Sequence, residues 1–165
     1  MRPISVAFCI LLGSLSFLVG CKEDTPENLS VPRLMIEARG VNYGALGADL
    51  VTLPVSGTSI QIQSEPLVNE FDIFNVDMVK VDMGVALLLQ VSPKGARDLY
   101  RGSVSSMGGR IVLLINGNAI GARRIDGAIQ DGNFYTFVEV DNAELGQLVL
   151  DIKETITTLQ QEKNK

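Results

Sequence analysis

Polar and apolar positions along this chain follow two different periods, and those periods divide it into strands and helices. Ser59-Ile60-Gln61-Ile62-Gln63 alternates residue by residue, the pattern of a strand with one buried face. Arg33–Arg39 has the length and apolar content of a first strand. Phe71–Val81 reads as another extended segment, with Ile73, Val79 and Val81 on one parity. Val85–Val91 and Ile111–Ile115 are near-continuous apolar runs, too short for buried helices and suited to strands covered on both faces. Between them the period lengthens. Ala96, Leu99, Tyr100, Ser103, Val104 and Met107 follow helical spacing, with Ser92 as cap, Pro93 at the first position and Gly108-Gly109 as the stop.

After the second apolar run, Asn116-Gly117 predicts a hairpin turn, because both positions tolerate positive φ. The chain returns as a strand over Ala119–Ile129, bent at Gly121 or Gly127, turns again at Asp131-Gly132 and extends over Asn133–Val140. Leu145, Leu148, Val149, Ile152, Ile156 and Leu159 then form one helical stripe behind a capping-box-like pair, Asp141 and Glu144. These elements specify an α+β fold, a mixed or antiparallel sheet with two helices packed on one face. A single domain over 33–160 accounts for them, and 161–165 are expected to fray. Gly40–Gly47 reads as a loop, since its three glycines match no phosphate or dinucleotide pattern.

The N-terminus follows a different logic. Met1-Arg2-Pro3 is a short basic start, and the apolar stretch from Ile4 to Val19 is shorter than the roughly 20 residues a membrane-spanning helix needs. Small residues precede a junction at Gly20, so residues 1–20 read as a secretory signal. Leu18-Val19-Gly20-Cys21 resembles the bacterial lipobox, which implies an acylated Cys21 as first mature residue and lipid anchor. Cys9 is lost with the signal, so no intramolecular disulfide remains. Residues 21–32, charged and broken by Pro26 and Pro32, read as a tether. The expected location is the bacterial cell envelope, facing the periplasm, with inner and outer membrane both open. Acidic residues outnumber basic ones 19 to 14, with no basic stripe, which argues against nucleic acid and against electrostatic docking on anionic lipid.

The second half resembles the periplasmic head (P1) domain of the protein-export subunit SecD. Val85-Ala86-Leu87-Leu88-Leu89-Gln90-Val91-Ser92-Pro93-Lys94-Gly95-Ala96 is similar to that domain's strand, short turn and helix opening with Gly-Ala. Gly109-Arg110-Ile111-Val112-Leu113-Leu114-Ile115-Asn116-Gly117 is similar to its hairpin, Ala119–Ile125 to its return strand and Ile129–Gly132 to its following turn. The likeness covers about 71–160 and rests on the order of the motifs. It implies a SecD-head-like fold and a surface that contacts exported polypeptide. SecD's membrane-spanning helices have no counterpart here, so motor function does not carry over.

Candidate chemistry is sparse. The chain has no histidine, Cys21 is committed to lipid, and no nucleophile motif is present, so no enzyme, cofactor or metal site is expected. Asp72, Asp77 and Asp82 recur every five residues, an odd spacing that alternates faces on a strand, and they read as solvated carboxylates. Asp126 and Asp131 sit beside glycines in turns. Arg123-Arg124 reads as protection of a sheet edge, or as an anion holder. The best functional signal is aromatic. Phe134, Val138 and Val140 share one parity, and Tyr135 and Phe137 the other. With Phe134 toward the helices, Tyr135 and Phe137 lie on the open face beside Ile111–Ile115 as a partner-binding patch, unless Val31–Ser64 folds over that face. The expected function is therefore non-catalytic binding of exported polypeptide or an envelope protein partner. The alternative is a structural lipoprotein, as monomer or homodimer, with no ligand.

Overall fold

The fold is given by a computed structural model, which describes residues 29–39 and 48–163. The signal, Cys21, the tether as far as residue 28 and the Gly40–Gly47 loop lie outside the described residues. Eight strands and two helices are present among them: β1 (Pro32–Ile36), β2 (Ala48–Thr52), β3 (Ser59–Gln63), β4 (Ile73–Val81), β5 (Gly84–Val91), α1 (Pro93–Ser105), β6 (Arg110–Ile115), β7 (Asn118–Arg124), β8 (Asn133–Thr136) and α2 (Asn142–Lys163). All strand pairs are antiparallel. They form two three-stranded sheets, β1-β6-β7 and β4-β5-β8, and a β2–β3 hairpin.

The two apolar runs become the central strands of the two sheets, β5 and β6, but only β6 is covered on both faces; β5 keeps one open face, with Val85 exposed. On β6 the two-sided burial is literal. Ile111, Leu113 and Ile115 join the main core with Leu99 of α1, Val149 and Ile152 of α2, and Leu87 and Leu89 of β5. Val112 and Leu114 face a second, smaller core with Met35, Leu53, Ile60 and Ile62, roofed by the β2–β3 hairpin. The N-terminal half thus covers the far face of the β6 sheet. It leaves the corresponding face of β5 and β8 open, since Tyr135 and Phe137 remain 37% and 44% exposed.

Several elements differ from their expected form, each for a local reason. In β4 the register shifts between Ile73 and Asn75, so the extra residue Phe74 points outward and both Ile73 and Val76 reach the core. The parity expected for Val79 and Val81 is thereby lost, and Val81 is exposed. On α1 the buried line runs through Gly95, Leu99, Gly102 and Ser103, leaving Tyr100 and Val104 on the outside, and the helix ends at Ser105, so Met107 is exposed in the turn that follows. β7 ends at Arg124 rather than Ile129, because Ile125 turns to exchange backbone hydrogen bonds with Gly108 and Gly109 (2.8 Å each). β8 ends at Thr136 rather than Val140. α2 continues through Lys163, and Gln160 Nε2 and Lys163 Nζ donate to the carbonyl of Phe71 (3.3 and 3.4 Å).

Most caps and turns follow the residues expected, but Asp141 and Glu144 do not close a capping box: Glu144 N donates to the Asp141 carbonyl, not to its carboxylate. Ser92 Oγ accepts from Gly95 N at the head of α1, Asp141 Oδ1 accepts from Ala143 N at the head of α2, and Asn116-Gly117 adopts positive φ at both positions.

Ion pairs tie distant segments. Arg33 grips Glu70 and Arg110 grips Glu37, each through two guanidinium nitrogens. The Arg110 and Arg33 hydrogen bonds hold the Glu37 and Glu70 carboxyls below their ordinary range. Burial pushes Asp72 upward, but the hydrogen bonds from Lys94 and Ser92 outweigh it and its net shift is also downward. A carboxyl lowered in the folded state adds stability that is fully present above its unfolded value and is lost as pH falls through the folded one. Thermal unfolding is therefore expected at a steady Tm from neutral pH to about 5, with a progressive fall below about 4. A Tm unchanged down to pH 3 would contradict these pairings.

Candidate functional site

The register assigns the faces around the aromatic pair. Val76, Leu89 and Phe134 stand side by side across β4, β5 and β8, so they share a face, and all three are fully buried. Asp77, Leu88 and Tyr135 form the next row on the opposite face. Beside it, Asn75, Gln90 and Asn133 make a ladder of side-chain amides, with Asn75 Nδ2 donating to Gln90 Oε1 (2.9 Å) and Gln90 Nε2 to Asn133 Oδ1 (3.2 Å). Polar satisfaction at one end and aromatic exposure at the other give this face a direction.

The two large sheets meet where β7 approaches the non-strand segment that follows β8. Glu139 N donates to Ile120 O at 2.6 Å, and the carbonyl of Phe137 lies directly over Gly121. Further along, β7 and β8 stand apart. Arg123 fills the gap, its Nη1 donating to Tyr135 O at 3.2 Å where a neighbouring strand would supply a backbone N–H. Among the described residues, β7 pairs only with β6 and β8 only with β5, so neither edge has a strand partner across this gap, although Arg123 and Asp131 already bond the Tyr135 carbonyl and the Asn133 N–H.

A groove of about 500 Å³ opens on the gap. Val81, Met83 and Ala86 of the β4–β5 hairpin line one side, Ala122, Arg123, Arg124 and Asp126 the other, and Tyr135 and Phe137 lie between. A smaller hollow of about 340 Å³, lined by Ile129, Gln130, Asp131 and Asn133, continues past Arg123 and Tyr135, which border both. The apolar lining is well exposed, with Met83 84% accessible at the hairpin tip. Exposed apolar surface of this kind, rimmed by charge, has the character of an interaction site.

The aromatic pair therefore sits on an open face, but its neighbours are β7 and the β4–β5 hairpin, not Ile111–Ile115. The β2–β3 hairpin covers that segment instead. Glu139 holds the hairpin down, its carboxylate accepting from Val55 N and Ser56 N (2.8 Å each). The backbone N–H of Ser56 is the main cause of the lowered Glu139 carboxyl. E139A is expected to raise amide hydrogen exchange at Val55 and Ser56 by at least tenfold, about 1.4 kcal/mol of local protection. Unchanged exchange there would remove Glu139 as the latch.

The regularly spaced aspartates go to three separate settings. Asp72 is buried in a 3-10 turn before β4, held by Ser92 Oγ (2.9 Å) and Lys94 Nζ (2.8 Å). Asp77 pairs with Lys153 of α2 at 2.6 Å, and Asp82 is exposed in the β4–β5 turn. Among the described residues no cluster of acidic or thiol groups is arranged to hold a metal. Val81, Met83 and Arg123 were not legible as groove residues, because what makes them so is the approach of two strands distant in sequence.

A larger hollow, about 590 Å³, lies between α2 and the β6–β7 turn and includes Asn116, Leu148 and the carboxylates of Glu144 and Asp151. Ser30 N and Val31 N bond to Thr155 Oγ1 and Asn116 Oδ1 (2.8 Å each), so the chain enters the domain in this neighbourhood. It lacks both the aromatic pair and the strand edges without a partner strand.

No protein-family model and no curated protein sequence matches the chain. Two solved structures do resemble it. One is SecDF in a super-membrane-facing form (TM-score 0.56, 17% identity), over 75% of this chain and 18% of that one. The other is described as a membrane component, SecDF, that enhances protein export (TM-score 0.56, 15% identity), over 76% of this chain and 62% of that one. The fold is SecD-head-like. This chain spans less than two thirds of either SecDF chain, and among its described residues no helix is long and apolar enough to cross a membrane.

Proposed function

We propose that this protein is a lipid-anchored, non-catalytic binding module of the bacterial envelope, whose groove takes an extended segment of exported polypeptide. The observation that carries this reading is the groove itself: half-exposed Tyr135 and Phe137 between two strand edges that have no partner strand. A sheet edge supplies backbone hydrogen bonds to any extended chain, and an apolar lining supplies affinity with little regard to sequence. The SecD-head-like fold supports a role near protein export, and the lipobox-like Leu18–Cys21 supports tethering through an acylated Cys21. Acyl chains alone account for membrane retention in an acidic domain, each buried methylene contributing about 0.8 kcal/mol.

Photo-crosslinking in the cell, from probes at Tyr135 and Phe137, tests the proposal. Tyr100 on α1, 44% exposed, is the control for surface accessibility. The expected result is a ladder of adducts with exported proteins from positions 135 and 137, and few or none from 100. Equal yields from all three positions, or adducts only with a second copy of this chain, would replace the binding reading with the structural one.

A further inference from the structure

Seven arginines lie among the described residues; Arg39, Arg97 and Arg101 are neither clasped by two carboxylate hydrogen bonds nor part of the groove, and the other four divide into two pairs. Arg33 and Arg110 are each clasped by a carboxylate through two hydrogen bonds, with their partners largely shielded from solvent. Arg123 and Arg124, which line the groove, are not. Arg123 donates to a carbonyl, and Arg124 stands 3.5 Å from Asp126 with both side chains more than 70% exposed. Asp131 lies within the field of Arg123, but its oxygens accept from Asn133 N (3.1 Å) and Nδ2 (3.0 Å). The surroundings sharpen the contrast: the chain is acidic overall, and its other large hollow carries Glu144 and Asp151.

We infer that Arg123 and Arg124 make the groove selective for extended segments that carry a carboxylate among apolar side chains. The inference rests on the polypeptide reading and names its ligand class more narrowly. Successive side chains of an extended segment project to opposite sides, about 3.3 Å further along per residue. An acidic residue next to, or two positions from, apolar ones can therefore reach the arginine rim while its neighbours lie on Tyr135, Phe137 and Met83. An unclasped guanidinium takes a carboxylate through two parallel hydrogen bonds, with no existing ion pair to break at Arg123 and only an exposed, stretched one at Arg124.

Fluorescence anisotropy with the full chain decides it, using a labelled peptide of alternating Val and Thr with a central Glu, and its isostere with a central Gln. The Glu peptide is expected to bind roughly fivefold more tightly, the scale of a partly exposed charge pair, with the ratio shrinking as salt is raised. In R123Q/R124Q the ratio is expected to fall to near one. Thermal melting checks that variant's fold, and R124Q, remote from the β7–β8 contact, should already reduce the ratio on its own. Equal binding of the two peptides by the native chain, or a ratio unchanged in both variants, overturns the selectivity while leaving the groove a polypeptide site. Binding of neither peptide removes both readings.

Discussion

Truncating Phe134 to alanine is expected to cost about 3–5 kcal/mol of unfolding free energy, the range for a fully enclosed aromatic ring. The ring is completely buried, among the largest enclosed side chains of the domain, and stands beside Leu89 in the core shared with α1 and α2. Y135A, one residue along, is expected to cost no more than about 1 kcal/mol, because its ring is already partly in water. Urea denaturation of both variants makes the comparison. Similar losses would mean that the faces of β8 are misassigned, and the open groove would fall with them. The asymmetry has a functional side. On one short strand, one parity supplies stability and the other stays partly in water, so groove side chains can change without unfolding the domain.

That division was legible in the sequence wherever strand period alone determines it. Phe134 against Tyr135 and Phe137 is such a case, as are the alternation of Ile60 and Ile62 and the two apolar runs that became central strands. The helix caps and the Asn116-Gly117 turn belong here too, since their chemistry is confined to a few neighbouring residues. What escaped was decided by partners far along the chain. One bulge residue, Phe74, reset the parity of β4, and nothing in Phe71–Val81 marks it, because the register belongs to the pairing with β5. Of the expected helical stripe, Leu99 and Ser103 are buried, but Tyr100, Val104 and Met107 are exposed, because α1 packs along the line of Gly95, Leu99, Gly102 and Ser103. Periodicity finds the helix and cannot say which stripe is closest to the sheet.

The candidate site divides in the same way. Its aromatic half follows from parity, and Arg123-Arg124 was visible as a charged pair at a strand edge. The groove required knowing that β7 approaches the segment after β8 at Gly121 and stands apart from β8 at Arg123, a relation between segments distant in sequence. Fold resemblance supplies the architecture, but it does not say which face is open, because folds do not determine sites.

Gly121 holds that architecture together, and G121V is expected to be the most damaging glycine substitution at the seam, at about 3 kcal/mol, the upper end for forced overpacking. A Cβ at position 121 would collide with the carbonyl oxygen of Phe137 and lie 3.1 Å from Val138 Cγ1 and 3.2 Å from its Cα. Two of those three atoms are backbone, so no rotamer change relieves the clash and the two segments must separate. Separation would stretch the bond from Glu139 N to Ile120 O and move Phe137, while Glu139 would also carry the tip of the β2–β3 hairpin with it. Gly127, equally plausible as a bend from sequence alone, has nothing within 4 Å of its Cβ position, and G127A is expected to change stability by less than about 0.5 kcal/mol. Denaturant midpoints for the two variants separate a seam residue from a loop residue. Crosslinking from position 137 in G121V reports whether the groove depends on the seam: if stability falls but crosslinking persists at the native level, the aromatic patch binds without the β7–β8 junction.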